Sequence, residues 1–500
     1  MNLTLLLDMA ADGFGDRRIV GRGDTAFTAG TLRDLSSGGA DLFREVGARA
    51  VIYLGVNGPA FPLALFAAAR AGIPLVPLNY RLSAEALTAL VANHPDAYGI
   101  AGAKEAELLR DAGVANVVTT EEWLEKAAAR AAEVGEGAEP VESDAPAVLI
   151  YTSGTTSAPK GVVLRHHNLV SYVLGTVEFA SADAEEACLI SVPPYHIAAV
   201  ANAISNLYAG RRTIVLEQFT PVEWLEVARQ ENVTHAMVVP TMLSRIMEAD
   251  DAHLAVPTLR SLAYGGASMP AVVIERALTR WPDVAFVNAY GLTETSSTIA
   301  VLGPDDHRAA IGSDDPAVRA RLSSAGRIVP SIELQVRDFD GRPAPPGVPG
   351  RIWVRGDQVS GEYAGSGTAL DDDGWFDTRD QGYLDADGYL FIGGRADDTI
   401  IRGAENIAPA EIEEVLLRHG QVADAVVVGI PDDEWGQRIE AAVVRRTGSD
   451  VDADELRAYV RSHLRGSKTP ERIVFWSELP RTETGKLVRR RAVERIVRES

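Results

Sequence analysis

The stretch AVIYLGVNGPAFPLALFAAARAGIPLVPL, residues 50–78, holds two apolar runs, 50–56 and 73–78, on either side of a helical pattern at 61–71. Apolar run, helix and apolar run in that order read as a β-α-β unit, which requires a parallel sheet covered by helices. Working outward, the alternation continues through 87–92, 99–101 and a buried-looking strand at 147–151, so a large layered α/β body is expected. The Ala/Glu/Gly-rich stretch 128–144 reads as a surface helix and loop. Between 341 and 356 the chain becomes rich in Pro and Gly with short β-like runs at 332–336 and 351–354, which predicts a small distorted β unit. After residue 394 a new set of elements follows: helix 409–418, strands 425–430 and 441–445, helix 453–464 and strand 472–476. About 100 residues suffice for a small domain of α+β type. The division expected is therefore 1–396 for the large N-terminal domain and 397–500 for the small one.

A chain of 500 residues exceeds what one hydrophobic core usually supports. Its 46% hydrophobic and 24% charged content is that of an ordinary globular protein. The formal net charge of -22 argues against nucleic acid or anionic membranes as partners, because both need a broad positive surface. The single cysteine, Cys188, excludes an intramolecular disulfide, and its apolar surroundings predict a buried, inert thiol. Neither a signal peptide nor a membrane-length apolar run is legible, so a cytoplasmic location is expected.

Chemistry concentrates first in Tyr151-Thr152-Ser153-Gly154-Thr155-Thr156-Ser157-Ala158-Pro159-Lys160-Gly161, which follows the strand 147–151 and precedes a helical stretch at 166–174. Backbone N–H groups and the hydroxyls of Thr152, Ser153, Thr155 and Thr156 can donate to anionic oxygens, and Lys160 adds positive charge. The loop is not of the Walker type, because Pro159 stands before Lys160 where that pattern has glycine.

This string resembles the phosphate loop of the acyl-adenylate-forming superfamily, which contains acyl-CoA synthetases, peptide-synthetase adenylation domains and luciferases. Further matching segments follow in the same order: Tyr195-His196, Gly265-Gly266-Ala267, Tyr290-Gly291-Leu292-Thr293-Glu294, Thr378-Arg379-Asp380, Gly394-Arg395-Ala396-Asp397-Asp398, Arg402-Gly403-Ala404-Glu405-Asn406 and Pro480-Arg481-Thr482-Glu483-Thr484-Gly485-Lys486. Ordered motifs spanning nearly the whole chain make coincidence a poor explanation.

The resemblance implies an ATP-dependent enzyme that converts a carboxylic acid to an acyl adenylate with release of pyrophosphate, then passes the acyl group to coenzyme A. It implies that Thr152, Ser153, Gly154, Thr155, Thr156 and Lys160 hold phosphates, Glu294 holds Mg2+, and Thr293 meets the α-phosphate. By the same resemblance Gly265, Gly266, Ala267 and Tyr290 flank the adenine, Asp380 accepts the ribose hydroxyls, and Arg395 assists near ribose and phosphates. Lys486 is expected to reach the substrate carboxylate and α-phosphate, His196 to stand where acyl pocket and thiol tunnel meet, and Gly403 to approach the pantetheine. Asp397 matches the hinge about which the small domain turns between half-reactions.

Some positions depart from the family pattern. Ser157 replaces a usual glycine, Arg351 a usual glutamate, and Arg379 the glycine that commonly precedes the ribose aspartate; Arg402 and Ala404 border the pantetheine path. Amino-acid-activating relatives hold the ammonium with an aspartate where His196 stands here, which argues against an α-amino acid. The candidate acyl lining at 198–203, 238–242, 264–266 and 296–298 is mostly small or apolar and suits an acyl, aryl or terpenoid acid. Three alternatives stay open: an acyl-AMP ligase that loads a carrier protein in trans, a non-catalytic adenylate-binding homologue, and a luciferase-type oxygenase. The basic run 489–491 reads as a solvated helix face.

Overall fold

The computed structural model describes residues 1–133, 142–152, 159–338, 340–395, 398–402, 405–432, 435–482, 485 and 487–499. Two large sheets form the body. In the nine-stranded sheet five consecutive neighbours run parallel: Arg212–Val215, Ala187–Ile190, His235–Val238, Ser261–Gly265 and Ala285–Leu292. Ser297–Leu302 then turns back antiparallel. In the eight-stranded sheet Asn116–Thr119, Ala97–Ala101, Ala50–Leu54, Leu75–Pro77 and Pro146–Thr152 are parallel neighbours, and Lys160–Arg165 closes on them antiparallel.

The β-α-β reading of residues 50–78 holds: Ala50–Leu54 and Leu75–Pro77 pair in parallel across the helix Ala60–Ala71. Residues Ala60 to Arg70 of that helix are all buried. A helix apolar all round must be enclosed, which places it in the core between layers. Its charged residue, Arg70, is satisfied by Asp8 and by Ser36 Oγ at 2.9 Å. Cys188 lies buried in Ala187–Ile190, and burial pushes its thiol up to about 11, so it is inert.

The Pro/Gly-rich region becomes a four-stranded antiparallel sheet, Glu333–Arg337, Gly350–Arg355, Phe376–Leu384 and Leu390–Arg395. The last two strands carry mixed polar residues and were not legible as strands. The C-terminal unit pairs Val422–Asp432 with Gly436–Arg445 and adds Arg472–Trp476 in parallel. Helices Pro409–Arg418 and Ala453–His463 cover one face, through Ile412, Leu416, Leu456 and Val460 against Val427 and Val443. Helix Arg489–Arg498 covers the other, through Ala492 and Ile496 against Val426, Val428 and Ala442. Alternate residues of one strand thus enter two cores, which is why the run 425–430 is continuously apolar.

The basic run 489–491 is only partly a solvated face. Arg489 is mostly buried: it pairs with Glu413, bonds Asp398 at 3.3 Å and donates to Val427 O at 3.1 Å. No helix among the described residues is long and apolar enough to cross a membrane.

His166, fully buried at the start of the helix His166–Thr176, accepts the Leu3 N–H at Nδ1 (3.3 Å). Burial, with neighbouring positive charge, lowers its pKa from 6.5 to about 4. The folded protein therefore binds fewer protons than the unfolded chain, so this contribution is fully present above pH 6.5 and is lost as pH falls toward 4. Between pH 7 and pH 5 it removes roughly 2 kcal/mol of stability. Urea denaturation at both pH values is expected to show a smaller drop for His166→Gln than for the wild type; equal drops would refute the assignment.

Candidate active site

Several of the described residues singled out in the sequence lie at the carboxyl ends of the parallel strands, the usual ligand edge of such sheets. Gly265 ends Ser261–Gly265, Thr293 and Glu294 follow Ala285–Leu292, and His196 follows Ala187–Ile190. A Cβ on Gly265 would lie 2.3 Å from Ala289 O, so glycine alone permits the close pairing there. Gly266 has φ +82°, which turns the chain sharply off the strand end and leaves backbone exposed beside Ala267.

The phosphate loop bridges two antiparallel strands, with Thr152 opposite Lys160. The helical stretch read at 166–174 is the helix His166–Thr176, and between the loop and that helix the structure adds a strand not read in the sequence, Lys160–Arg165. Ser153, Gly154, Thr155 and Thr156 lie outside the described residues. At the hairpin's base Thr152 Oγ1 donates to Lys160 O at 3.4 Å, and Lys160 Nζ stands 5.4 Å from the Tyr363 ring centroid.

Tyr363 is the residue the motifs missed. Its hydroxyl donates to Glu294 Oε1 at 2.9 Å, and its strand Glu362–Tyr363 is hydrogen-bonded to Lys160–Arg165. Burial, then the Glu294 carboxylate, raises its pKa, so it stays a donor. Lys160, Tyr363 and Glu294 are thereby brought into one cluster. Nothing in the sequence marks Tyr363, because its partner is 69 residues away.

The turn bearing Glu294 is clamped from the same segment. Ser360 N–H and Gly361 N–H donate to Glu294 O at 2.9 and 3.3 Å. Gln358, fully buried, donates through Nε2 to Thr295 O (3.0 Å) and Thr298 O (2.9 Å) and accepts from Ser331 Oγ (2.8 Å). Gln358→Leu would strand two buried carbonyls, and a loss of about 3 kcal/mol in urea denaturation is expected together with weaker Mg2+-ATP binding. An unchanged midpoint would mean that the turn holds itself.

A second cluster forms around Asp380. Tyr290 Oη donates to Asp380 Oδ2 at 2.6 Å, and Arg395 Nε meets Oδ1 at 2.9 Å. Burial and then the Asp380 charge raise the Tyr290 pKa well above its ordinary value, which keeps the hydroxyl protonated. Tyr290 is thus tied to the carboxylate expected to accept the ribose. Asp380 N–H donates to Thr378 Oγ1 at 3.1 Å, and that hydroxyl donates to Ile352 O at 2.8 Å.

A bulge aims this carboxylate. Arg351 and Trp353 pair with Gln381 and Asp377, so the strand Phe376–Leu384 carries extra residues around Asp380. Within the bulge Arg379 has φ +59°, the left-handed region that glycine adopts freely and that costs other residues about 1–2 kcal/mol. Two of the departures from the family pattern, Arg351 and Arg379, meet here. Asp377 Oδ1 accepts the Arg379 N–H at 2.9 Å, while Asp377 Oδ2 pairs with Arg351 Nη1 at 3.0 Å.

His196 caps the helix Ile197–Ala209, its Nδ1 accepting Ala198 N–H at 3.2 Å, which leaves the Nε2 side to carry the proton of the neutral ring. Among the candidate acyl lining, Tyr264 is fully buried in the core and donates to His307 Nε2 at 2.8 Å, so its hydroxyl is already satisfied. Arg402 bonds Glu471 at 2.7 Å within the C-terminal unit. Gly403, Asp397 and Lys486 lie outside the described residues. Gly485, next to Lys486, has φ +76° and packs so closely on Thr241 that a Cβ would come within 2.4 Å of Oγ1.

Among the described residues no group of three or more His, Cys, Asp or Glu side chains could hold a metal. Glu294 stands alone, with Oε1 engaged by Tyr363 and the side chain part-buried. That suits Mg2+, which is commonly bound through one or two carboxylates plus substrate phosphates rather than by an all-protein cage.

Comparison with known proteins agrees with this geometry. A family model described as AMP-binding enzyme matches residues 7–364, and one described as AMP-binding enzyme C-terminal domain matches residues 411–486. The chain is 35% identical to a feruloyl-CoA synthase of Amycolatopsis sp, with 94% of each chain covered. It is 33% identical to the fatty acid--[acyl-carrier-protein] ligase ScoC of Streptomyces coeruleorubidus, covering 89% of this chain and 86% of that one. The solved structure of o-succinylbenzoate CoA synthetase from Bacillus subtilis, in complex with its acyl-adenylate intermediate, superposes with a TM-score of 0.83 at 27% identity, covering 97% of both chains. The chain therefore belongs to the AMP-binding enzyme family, within the acyl-adenylate-forming superfamily.

Proposed function

We propose that this protein is an AMP-forming acid–thiol ligase that activates a carboxylic acid as its adenylate and transfers the acyl group to coenzyme A. The observation that carries the reading is Asp380, fixed between Tyr290 and Arg395, beside a Lys160–Tyr363–Glu294 cluster fit for polyphosphate. In the first half-reaction a carboxylate oxygen bonds to the α-phosphorus of ATP and the bond to the β-phosphate oxygen breaks, giving acyl adenylate and pyrophosphate. In the second the thiol sulfur bonds to the acyl carbon, AMP leaves, and the thiol proton goes to solvent.

In this reading Lys160 and the phosphate hairpin neutralise the polyphosphate, Thr293 donates to the α-phosphate, and Glu294 holds Mg2+, which supplies charge neutralisation when bound. Asp380 accepts from both ribose hydroxyls, a task suited to two carboxylate oxygens. Gly265, Gly266, Ala267 and Tyr290 bound the adenine, and Lys486 carries positive charge to the reacting carboxylate. His196 borders the acyl and thiol approaches, with Gly403 on the pantetheine path. A cytoplasmic location fits an enzyme that consumes ATP and CoA.

The small domain, residues 397–500, turns about Asp397 between the half-reactions, since a hinge needs only a few residues to absorb the backbone change. Asp397→Pro is expected to spare adenylate formation more than thiolysis in single-turnover assays, and intact overall turnover would refute the hinge.

The test of function is carboxylate-dependent exchange of labelled pyrophosphate into ATP across fatty, aryl and polycyclic acids, followed by AMP release with and without CoA. Exchange with CoA-stimulated release supports the proposal. Exchange without CoA stimulation moves the acceptor to a carrier protein in trans, the activity named for the fatty acid--[acyl-carrier-protein] ligase relative. Wild-type protein that binds ATP yet exchanges with no acid would overturn the ligase reading.

A further inference from the structure

Arg379 occupies a left-handed backbone position, φ +59°, in the bulge that aims Asp380. Such strain persists only where the surroundings impose it, and it gathers at functional sites. Glycine would relieve the strain at no steric cost, so the side chain must offer something in return. The residue is exposed, and its guanidinium makes no ion pair or side-chain hydrogen bond among the described residues, whereas the flanking Thr378 and Asp380 are both engaged.

Beside the ribose carboxylate, Arg379 also lies within electrostatic reach of Tyr363. The positive charges of Arg379 and Arg395 both act on that hydroxyl, which is bonded to Glu294. Arg395 is committed to Asp380. Arg379 therefore supplies an uncommitted cation to the Lys160–Tyr363–Glu294 side of the ribose carboxylate, where a phosphate chain leaving the ribose would run. Arginine's planar fork suits paired phosphate oxygens.

We infer that Arg379 binds the β- and γ-phosphates of ATP, the pair that departs as pyrophosphate. The inference rests on the nucleotide reading of the site. Asp377, held by Arg351 and receiving the Arg379 N–H, is the positioning residue that keeps the backbone in its left-handed turn.

Calorimetric titration of Mg2+-ATP and of AMP into wild type, Arg379→Gly and Arg379→Lys separates the possibilities, because the two ligands share ribose and α-phosphate and differ only in the terminal phosphates. Arg379→Gly suits the backbone and is expected to melt no lower than wild type, so a folding defect does not confuse the result. The expected outcome is ATP affinity reduced by about tenfold or more, AMP affinity unchanged, and partial recovery in Arg379→Lys. Unchanged ATP affinity overturns the inference. Equal loss for both ligands also overturns it, since the residue would then act through Asp380. Wild type that binds neither nucleotide would remove the nucleotide reading itself and the inference with it.

Discussion

Lys486→Ala is expected to slow acyl-adenylate formation by about 10²–10³-fold while leaving thiolysis of a supplied acyl adenylate largely intact. Negative charge gathers on the attacking carboxylate and the α-phosphate during the first step, and a preorganised cation there is worth most in the transition state. The described neighbours of Lys486 show how it would be held. Gly485 N–H donates to Thr482 O at 2.8 Å, Val488 N–H donates to Pro480 O at 2.8 Å, and Arg481 and Leu487 form an antiparallel bridge. Arg481 braces Gly485, donating to its carbonyl oxygen at 2.6 Å and pairing with Asp424 at 2.7 Å. Gly485 packs on Thr241, one residue into the helix Pro240–Ile246 that follows the parallel strand His235–Val238. Gly485 is thus seated at the ligand edge of the sheet. Single-turnover measurement of each half-reaction checks the assignment, and equal losses in both would refute it.

Asp380→Ala is expected to weaken ATP and AMP alike by about 10²-fold, because the two charge-assisted hydrogen bonds proposed for it to the ribose would disappear. It also leaves the Tyr290 hydroxyl and the Arg395 guanidinium without their partner. Removing one member of a buried pair is strongly destabilising, but Arg395 is 36% exposed and water takes up part of the loss, so a fall of about 2 kcal/mol is expected. Tyr290→Phe removes a single hydrogen bond and leaves Asp380 paired with Arg395, so its effect on AMP affinity is expected to be much smaller. Calorimetry with both nucleotides and denaturation of both variants measure these effects. Nucleotide affinity preserved in Asp380→Ala would rule out the ribose role, whatever happened to stability.

The contrast between these aspartates and the neighbouring Arg379 shows where local reading stops. Residues 50–78 announced a parallel β-α-β unit because apolar runs and helical spacing are properties of contiguous residues, and helix Pro409–Arg418 and strand Arg472–Trp476 were legible to the residue for the same reason. The strands Phe376–Leu384 and Leu390–Arg395 were not, since half-buried strands at an irregular sheet mix polar and apolar positions without strict alternation. The phosphate loop and the helix after it were legible, but the strand Lys160–Arg165 between them emerged only through its pairing with Pro146–Thr152. Arg489, in a run of three arginines, looked solvated until Glu413 and Asp398 were folded against it.

By itself the sequence determined the layered α/β body, the small C-terminal unit, the order of the adenylate-forming motifs and the identity of the charges available for chemistry. These are encoded in periodicity and in short contiguous strings. Only the tertiary structure decided that Tyr363 engages Glu294, that Gln358 clamps the turn beneath it, that Tyr290 and Arg395 share Asp380, and that Arg351 and Arg379 converge on Asp377. Each of these joins residues on different segments or depends on a backbone turn imposed by strand pairing. A hydrogen bond across 69 or 90 residues leaves no periodic trace in the chain, so folding has to supply it.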